Sequence, residues 1–344
     1  MHRHHANGAA GHLVVACLLV IMAASGSAAQ TLVIGNKAAD TAGFADLERN
    51  RMVATRPTGP GPHEVAVSPD GETAAVVAYG RDNDGRSVSL FDIASATSLK
   101  VIDLGRHTRP HGIAWLPDGR HLAITTEGSG HLVLVDTAAG DVAAAIDTGA
   151  AGSHMLALSP DAARAYVANL RDSSFSVIDI AARKLLRVVE SGEGSEGIAV
   201  TPDGDEIWVS NRAENSVFVF DSETFARKAE IVTGEVPIRV AISPDGRHAV
   251  TANAREGTLS VIATASKSVV ATVILETGGE GRTFPVTLLF RPDGAELFVA
   301  MTGPGRIARI DTAGWTQTGE LVAGDGADGL GYSPLVLELE AAGQ

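Results

Sequence analysis

The chain has 344 residues, 45% of them apolar and 20% charged, with a formal net charge of −14. Such a composition can bury a large core and excludes a disordered chain. The negative field disfavours nucleic acid and anionic lipid as general partners, and the single cysteine, Cys17, excludes a disulfide framework.

The first element is a leader. After a histidine-rich start with one cation, Arg3, an apolar run extends from Leu13 to Ala24, and Ser25-Gly26-Ser27-Ala28-Ala29 follows it. The run is too short for a permanent membrane span and suits a signal-peptide core. Ser27 and Ala29 satisfy the small-residue cleavage rule, so residues 1–29 read as a cleaved signal peptide and residues 30–344 as one domain. No paired arginines precede the core, which predicts the general secretory route and a periplasmic or secreted protein. Val14-Val15-Ala16-Cys17 loosely resembles a lipoprotein processing site, but Leu18 to Ala24 continue the apolar run past the cysteine. Cleavage near Ala29 leaves a mature chain with no thiol and no transmembrane segment, expected as a monomer.

A short turn then recurs along the chain. It reads Ser68-Pro69-Asp70-Gly71, Leu116-Pro117-Asp118-Gly119, Ser159-Pro160-Asp161-Ala162, Thr201-Pro202-Asp203-Gly204, Ser243-Pro244-Asp245-Gly246 and Arg291-Pro292-Asp293-Gly294, with a truncated copy at Ser333-Pro334. Proline presets φ, aspartate bonds back to the backbone and glycine accepts positive φ, so the turn joins two antiparallel strands. The prolines stand 48, 43, 42, 42, 48 and 42 residues apart. Between them the chain reads as short Val-, Ile- and Leu-rich runs. In the third unit these are His154 to Leu158, Ala165 to Asn169, Ser174 to Asp179 and Leu185 to Val189. Four strands per repeat of this length predict an all-β propeller.

The two ends set the blade count. An aspartate ends the third strand nineteen residues after the turn proline at Asp136, Asp179, Asp221 and Asp311, and Asn36 and Asp46 share the spacing of Asn169 and Asp179. Leu32 to Arg56 therefore supply three strands without a turn proline, and Leu330 to Pro334 a first strand with nothing complete after it. Joined, they form a seventh blade and remove an exposed edge. The expectation is a seven-bladed β-propeller with four antiparallel strands per blade.

Tyr166-Val167-Ala168-Asn169, Trp208-Val209-Ser210-Asn211, the Ser-Pro-Asp-Gly turns and Ser174 to Asp179 resemble the YVTN-repeat β-propellers over essentially the whole mature chain. The resemblance implies a periplasmic or cell-surface seven-bladed propeller. Its broad class includes binding proteins, lactonases, lyases and the propeller domains of nitrous oxide reductase and haem d1 enzymes, and fold alone does not choose among them.

Length variation points to one face. Extra residues fall in the second-to-third loop of the first blade, Gly80 to Arg86, and in the crossover from the fifth blade to the sixth, Glu276 to Pro285. Both belong to the face that carries the crossovers between blades. Loops on a rigid scaffold carry function, so a site is expected there, with neutral loop drift as the alternative.

Two sets of residues gather on that face. Six residues before each turn proline stand His63, His111, His154, Glu196, Ile238, Val286 and Asp328. Positions four and two before the proline are apolar, and the six-before position is expected on their side of the strand, at the channel mouth. Imidazole and carboxylate ligate divalent transition metals, so His63, His111, His154, Glu196 and Asp328 are candidate metal ligands. The alternative is that each histidine caps its strand by bonding to a neighbouring blade. The second set is Lys37, Arg81, Arg171, Arg212 and Arg255 in the second-to-third loops, where Glu127 breaks the pattern. These cations are candidates to bind a small anionic ligand. Against this, Asp82, Asp84, Asp172, Glu214 and Glu256 lie nearby. His107, His121, His131 and His248 read as solvated.

No nucleophile elbow, phosphate-binding glycine loop or haem-attachment motif occurs. The leading expectation is a secreted binding or scaffold propeller holding a small anionic ligand or a protein partner on its crossover face. The alternative is a periplasmic metal-dependent enzyme, of lyase or lactonase type, or an accessory of a redox pathway. Binding of nucleic acid is disfavoured, because no aromatics interleave with the arginines for base stacking.

Overall fold

The computed structural model of the protein describes residues 1–2 and 30–338. The leader, its cleavage near Ala29 and Cys17 lie outside the described residues. Those that remain form seven four-stranded antiparallel sheets. Blade 1 comprises Pro62–Val67, Thr73–Gly80, Asp84–Asp92 and Thr97–Asp103, laid out from inside to outside in chain order. Blade 7 is composite. Its innermost strand, Ala327–Ser333, pairs with Thr31–Asn36 through Thr31↔Ser333 and Leu32↔Tyr332, and Thr41–Asp46 and Arg51–Pro57 complete it. The N- and C-terminal segments thus close the ring as expected.

Each strand's position follows from its side-chain pattern. Second strands such as Thr31–Asn36 are buried throughout, because neighbouring blades cover both their faces. Outermost strands such as Asp141–Asp147 alternate between exposed and covered positions, one face being solvated. The large core side chains meet between blades: the Phe44 and Phe91 rings lie 5.8 Å apart across blades 7 and 1, and Phe175 and Phe220 5.1 Å apart across blades 3 and 4.

The repeated motif residues are structural. In the turns, Ser159 Oγ donates to Asp161 Oδ1 and accepts from the Arg164 amide. The fourth turn position is left-handed in each complete copy, and in blade 3 Ala162 takes it at φ 51°. The asparagine ending the second strand ties down the incoming crossover: Asn36 Oδ1 accepts from Gly324 N, and Asn211 Oδ1 from Gly192 N. The aspartate ending the third strand accepts the amides of the next turn, as Asp136 does from Ala138 and Ala139.

One irregularity positions the site. The pairing of each innermost strand with the second strand shifts register at its start, for instance between Ser153 and Leu156 and between Pro237 and Arg239. Such a bulge breaks side-chain alternation and re-aims residues. In blade 1 the shift brings the consecutive residues His63 and Glu64, six and five before the proline, to the same point, each offering a polar atom within 4.8 Å of Asp328.

Two expectations are corrected. Gly80 to Arg86 is mostly a lengthened hairpin rather than a loop, because Gly80 pairs with Asp84 and Ala78 with Ser87. His107 is buried, not solvated, since its ring packs edge-on against His131 at 5.1 Å and Nδ1 lies 3.2 Å from Ser129 Oγ. Among the described residues no helix is long and apolar enough to cross a membrane.

Candidate functional site

The bulged starts of the innermost strands bring the three histidines of blades 1, 2 and 3 together. His63 and His111 have ring centroids 4.0 Å apart, and His111 and His154 3.6 Å apart, with the planes tilted by 50° and 36°. All three are buried, and Nδ1 of His111 and of His154 has no hydrogen-bond partner among the described residues. His111 and His154 are held neutral: burial drives their pKa well below the ordinary 6.5, and the surrounding cations push the same way.

Carboxylates flank the histidines. Asp328 Oδ2 of blade 7 lies 3.3 Å from His63 Nδ1 and 3.4 Å from Lys37 Nζ. Burial alone would raise its pKa, but His63, Lys37 and Arg239 outweigh that and hold it at about 2. Glu196 of blade 4 meets Arg212 Nη1 at 3.0 Å, and burial pushes its pKa up despite Arg239 and Arg212.

The centre of the mouth is occupied by a pair that the sequence did not reveal. Arg239, five residues before its turn proline, is buried and donates from Nη2 to Glu64 Oε1 at 2.6 Å, with Glu196 Oε1 3.7 Å from Nη1. Burial works against the guanidinium's charge, yet Glu64, Glu196 and Asp328 raise its pKa. In blades 2, 4 and 7 the same register holds Gly112, Gly197 and Gly329. At Gly329 a Cβ would meet His63 O at 2.1 Å, so the backbones there approach too closely for a side chain. That contrast between glycine and charge in one register was the available signal.

Tyr79 was also missed. It stands on the lengthened hairpin of blade 1, with its ring edge-on to His63 at 5.4 Å and to His111 at 5.6 Å. Its hydroxyl donates to Glu127 Oε2 at 2.9 Å and accepts from Arg109 Nη1 at 3.2 Å. Burial, then Glu127, raises its pKa.

The structure separates the five loop cations. Lys37 and Arg212 stand ten residues after the turn-proline register and reach buried carboxylates, Asp328 and Glu196. Arg171 and Arg255 stand one residue further on, and both are exposed. Arg171 pairs with Glu127 at 2.9 Å, and Arg81 pairs with Asp40 at 2.9 Å and donates to the Lys37 carbonyl. Arg255 has no ion pair among the described residues, and its carbonyl accepts from Arg282. The nearby acids serve the crossovers: Asp172 accepts from Ala151 N, Glu214 from Glu193 N and Glu256 from Glu235 N.

Of the candidate metal ligands, His63 and Asp328 converge with Glu64, each offering a ligand atom within 4.8 Å of the others. His111 and His154 continue as a stack away from that point, and Glu196 lies beside Arg239 and Arg212. Arg239 on Glu64 and Lys37 on Asp328 already supply positive charge to both carboxylates.

The architecture and this mouth define a seven-bladed propeller with a buried, histidine-lined polar site on its crossover face. The family described as "Lactonase, 7-bladed beta-propeller" matches residues 25–277, and the chain belongs to it. Among curated proteins none matches. Among solved structures, the chain is similar to Kuenenia stuttgartiensis hydrazine synthase at 21% identity and a TM-score of 0.69, over 82% of this chain and 92% of that one. A functionally unknown protein from Desulfotomaculum acetoxidans DSM 771 aligns at 14% identity and a TM-score of 0.75, over 88% and 98% of the two chains. Dihydro-heme d1 dehydrogenase NirN in complex with DHE aligns at 15% identity and a TM-score of 0.65, over 87% and 74%. At these identities the likeness is one of fold.

Proposed function

We propose that the protein is an exported binding propeller of the YVTN-repeat kind that holds a small polar ligand at the crossover-face mouth. The observation that carries this reading is the set of buried polar atoms left without partners there among the described residues: Nδ1 of His111 and His154, Nε of Arg239 and Oδ1 of Asp328. Buried polar groups are almost always hydrogen-bonded, and a cluster that is not is completed by water or a ligand. The neutral imidazoles of His111 and His154 suit a carboxylate or lactone carbonyl, because each ring can present one donor and one acceptor. The cation ring contributes less than its charge suggests, since four of its members are engaged by carboxylates. A protein partner would use the same face.

The test is a thermal-shift and calorimetric screen of small carboxylates, hydroxy acids, lactones and a haem d1-type tetrapyrrole. A hit that stabilises the native protein and is lost in His63→Ala/His111→Ala supports the mouth as the site. A hit retained in that variant places the ligand elsewhere and defeats the reading.

A second reading, hydrolysis of a lactone, is favoured by family membership and by the 3.3 Å approach of Asp328 to His63 Nδ1. In it Asp328 would orient His63, whose other nitrogen would take a proton from water. A divalent transition metal, where present, would sit among His63, Glu64 and Asp328. Elemental analysis of protein purified without a polyhistidine tag distinguishes the routes: stoichiometric metal abolished by His63→Ala supports metal-assisted chemistry. Lactone turnover without metal, lost in His63→Gln, supports the histidine–aspartate pair.

A further inference from the structure

Where each crossover meets the next blade, three positions act together. In blades 4, 5 and 7 they are a glycine in the crossover, the asparagine that ends the second strand and a hydroxyl residue that opens the third. Blade 5 shows the arrangement: Asn253 Nδ2 donates to Thr258 Oγ1 at 3.1 Å, and a Cβ on Gly234 would meet Asn253 Nδ2 at 2.5 Å. In blade 2 all three change at once, to His107, Thr126 and His131. Since three blades close this junction without a histidine, the fold itself does not require the pair.

A chain of hydrogen bonds fixes where the two rings carry their protons. Thr126 Oγ1 donates to the His131 carbonyl at 3.0 Å, so the 2.7 Å contact between Thr126 Oγ1 and Ser129 Oγ is donated by Ser129. With its proton engaged there, Ser129 Oγ can only accept from His107 Nδ1 at 3.2 Å, and the Ser129 carbonyl accepts from His131 Nδ1 at 2.6 Å. Both neutral rings therefore hold their proton on Nδ1 and present a bare lone pair on Nε2. Neither Nε2 has a hydrogen bond among the described residues, and neither is one of the buried unpartnered atoms, so each opens to solvent. The ring centroids lie 5.1 Å apart, and burial, then His131 and Arg106, push the His107 pKa below 6.5. Asp147, directly opposite His131 in the strand pairing, adds negative charge to the same face.

We propose that His107 and His131 form a site, on the crossover face and outside the histidine stack of the mouth, for a divalent transition-metal ion of the Zn²⁺ or Cu²⁺ class. The ion binds both Nε2 atoms and clasps the incoming crossover to the hairpin of blade 2, with water in the remaining coordination positions. Metal-binding histidines share this arrangement: one ring nitrogen donates to a group that holds the ring in place, and the other ligates. Imidazole suits these ions, and Cu²⁺ is expected to bind more tightly than Zn²⁺.

The experiment is calorimetric titration of the exported protein, purified without a polyhistidine tag, with Zn²⁺ and separately with Cu²⁺. One ion per chain is expected at a site whose affinity falls about tenfold or more in His107→Gln, in His131→Gln and in Ser129→Ala, and is kept in His63→Ala. His131 is half-buried at the start of its strand, so His131→Gln should melt with the metal-free wild type, and its lost affinity then reports a lost ligand rather than a lost fold. Affinity unchanged in both histidine variants, or lost only in His63→Ala, would overturn the assignment, as would failure of both ions to bind. Independently of any variant, long-range proton–nitrogen correlation spectra of the metal-free wild type at neutral pH should show Nδ1–H on both rings, with the Nε2 resonances shifting when Zn²⁺ is added. An Nε2–H on either ring would overturn the hydrogen-bond chain and the site with it.

Discussion

Arg239 of blade 5 donates to Glu64 of blade 1 at 2.6 Å, joining two non-adjacent blades across the centre of the propeller. Both side chains come from the position five residues before the turn proline, where glycine in three other blades lets the backbones approach. Glu196 adds a second carboxylate beside the guanidinium, and His63, His111 and His154 line the adjoining arc. The guanidinium and two carboxylates from blades 5, 1 and 4 thus meet at this level of the propeller.

Removing the guanidinium leaves Glu64 buried without its partner. Arg239→Met is expected to lower the unfolding free energy by about 3–5 kcal/mol, measured by chemical denaturation at neutral pH. Arg239→Met/Glu64→Met should recover most of that loss, because it removes both buried charges. A double variant as unstable as the single would show that the pair is not the source of the effect.

Stability should fall as pH drops below the ordinary histidine range. His111 and His154 are neutral in the folded state and protonate near 6.5 when unfolded, so the unfolded chain binds more protons below that pH. The two together contribute a slope of at most about 3 kcal/mol per pH unit. Glu196, whose pKa is raised on folding, acts in the opposite sense above its ordinary 4.5, and Asp328 adds a loss only as pH falls from 3.8 towards about 2. Denaturation curves between pH 7 and pH 5 check this, and His111→Leu/His154→Leu should flatten the dependence.

The loop cations should divide by partner rather than by charge. Lys37→Met strips Asp328 of one of its cations and is expected to cost about 1 kcal/mol, the value tempered by the lysine's partial exposure. Arg255→Ala, with no ion pair among the described residues, should stay within about 0.5 kcal/mol of wild type. Equal losses in the two variants would contradict the geometry.

The composite blade predicts how truncations behave. Beyond the last strand, Thr31 Oγ1 donates to the Leu335 carbonyl, Glu338 N donates to the Ala94 carbonyl, and Leu337 packs beside Ile93. Ending the chain at Pro334 should lower Tm by several degrees and leave unfolding cooperative. Ending it at Asp325 removes the partner of Thr31–Asn36 and should abolish cooperative unfolding, followed by circular dichroism.

By itself the sequence determined the seven-bladed ring, its four-stranded blades, the composite seventh blade and the face on which polar residues gather. It did so because turn chemistry and strand length are local: Pro-Asp-Gly and its copies recur at a fixed period, and the leftover strands Thr31–Asn36 and Ala327–Ser333 can only complete each other. It also placed His63, His111 and His154 in one register, and their rings do meet. Only the tertiary structure decided what those residues face. The bulge at the start of each innermost strand turns Glu64 and Arg239 towards the axis, and strict alternation would not place them there. It likewise decided which cations are engaged, since Lys37 and Arg212 differ from Arg171 and Arg255 by one residue of register. The physical reason is that a repeat fixes the path of the backbone within a blade, whereas the pairing of charges at the centre joins residues as distant as Glu64 and Arg239 and depends on how seven blades close around the axis.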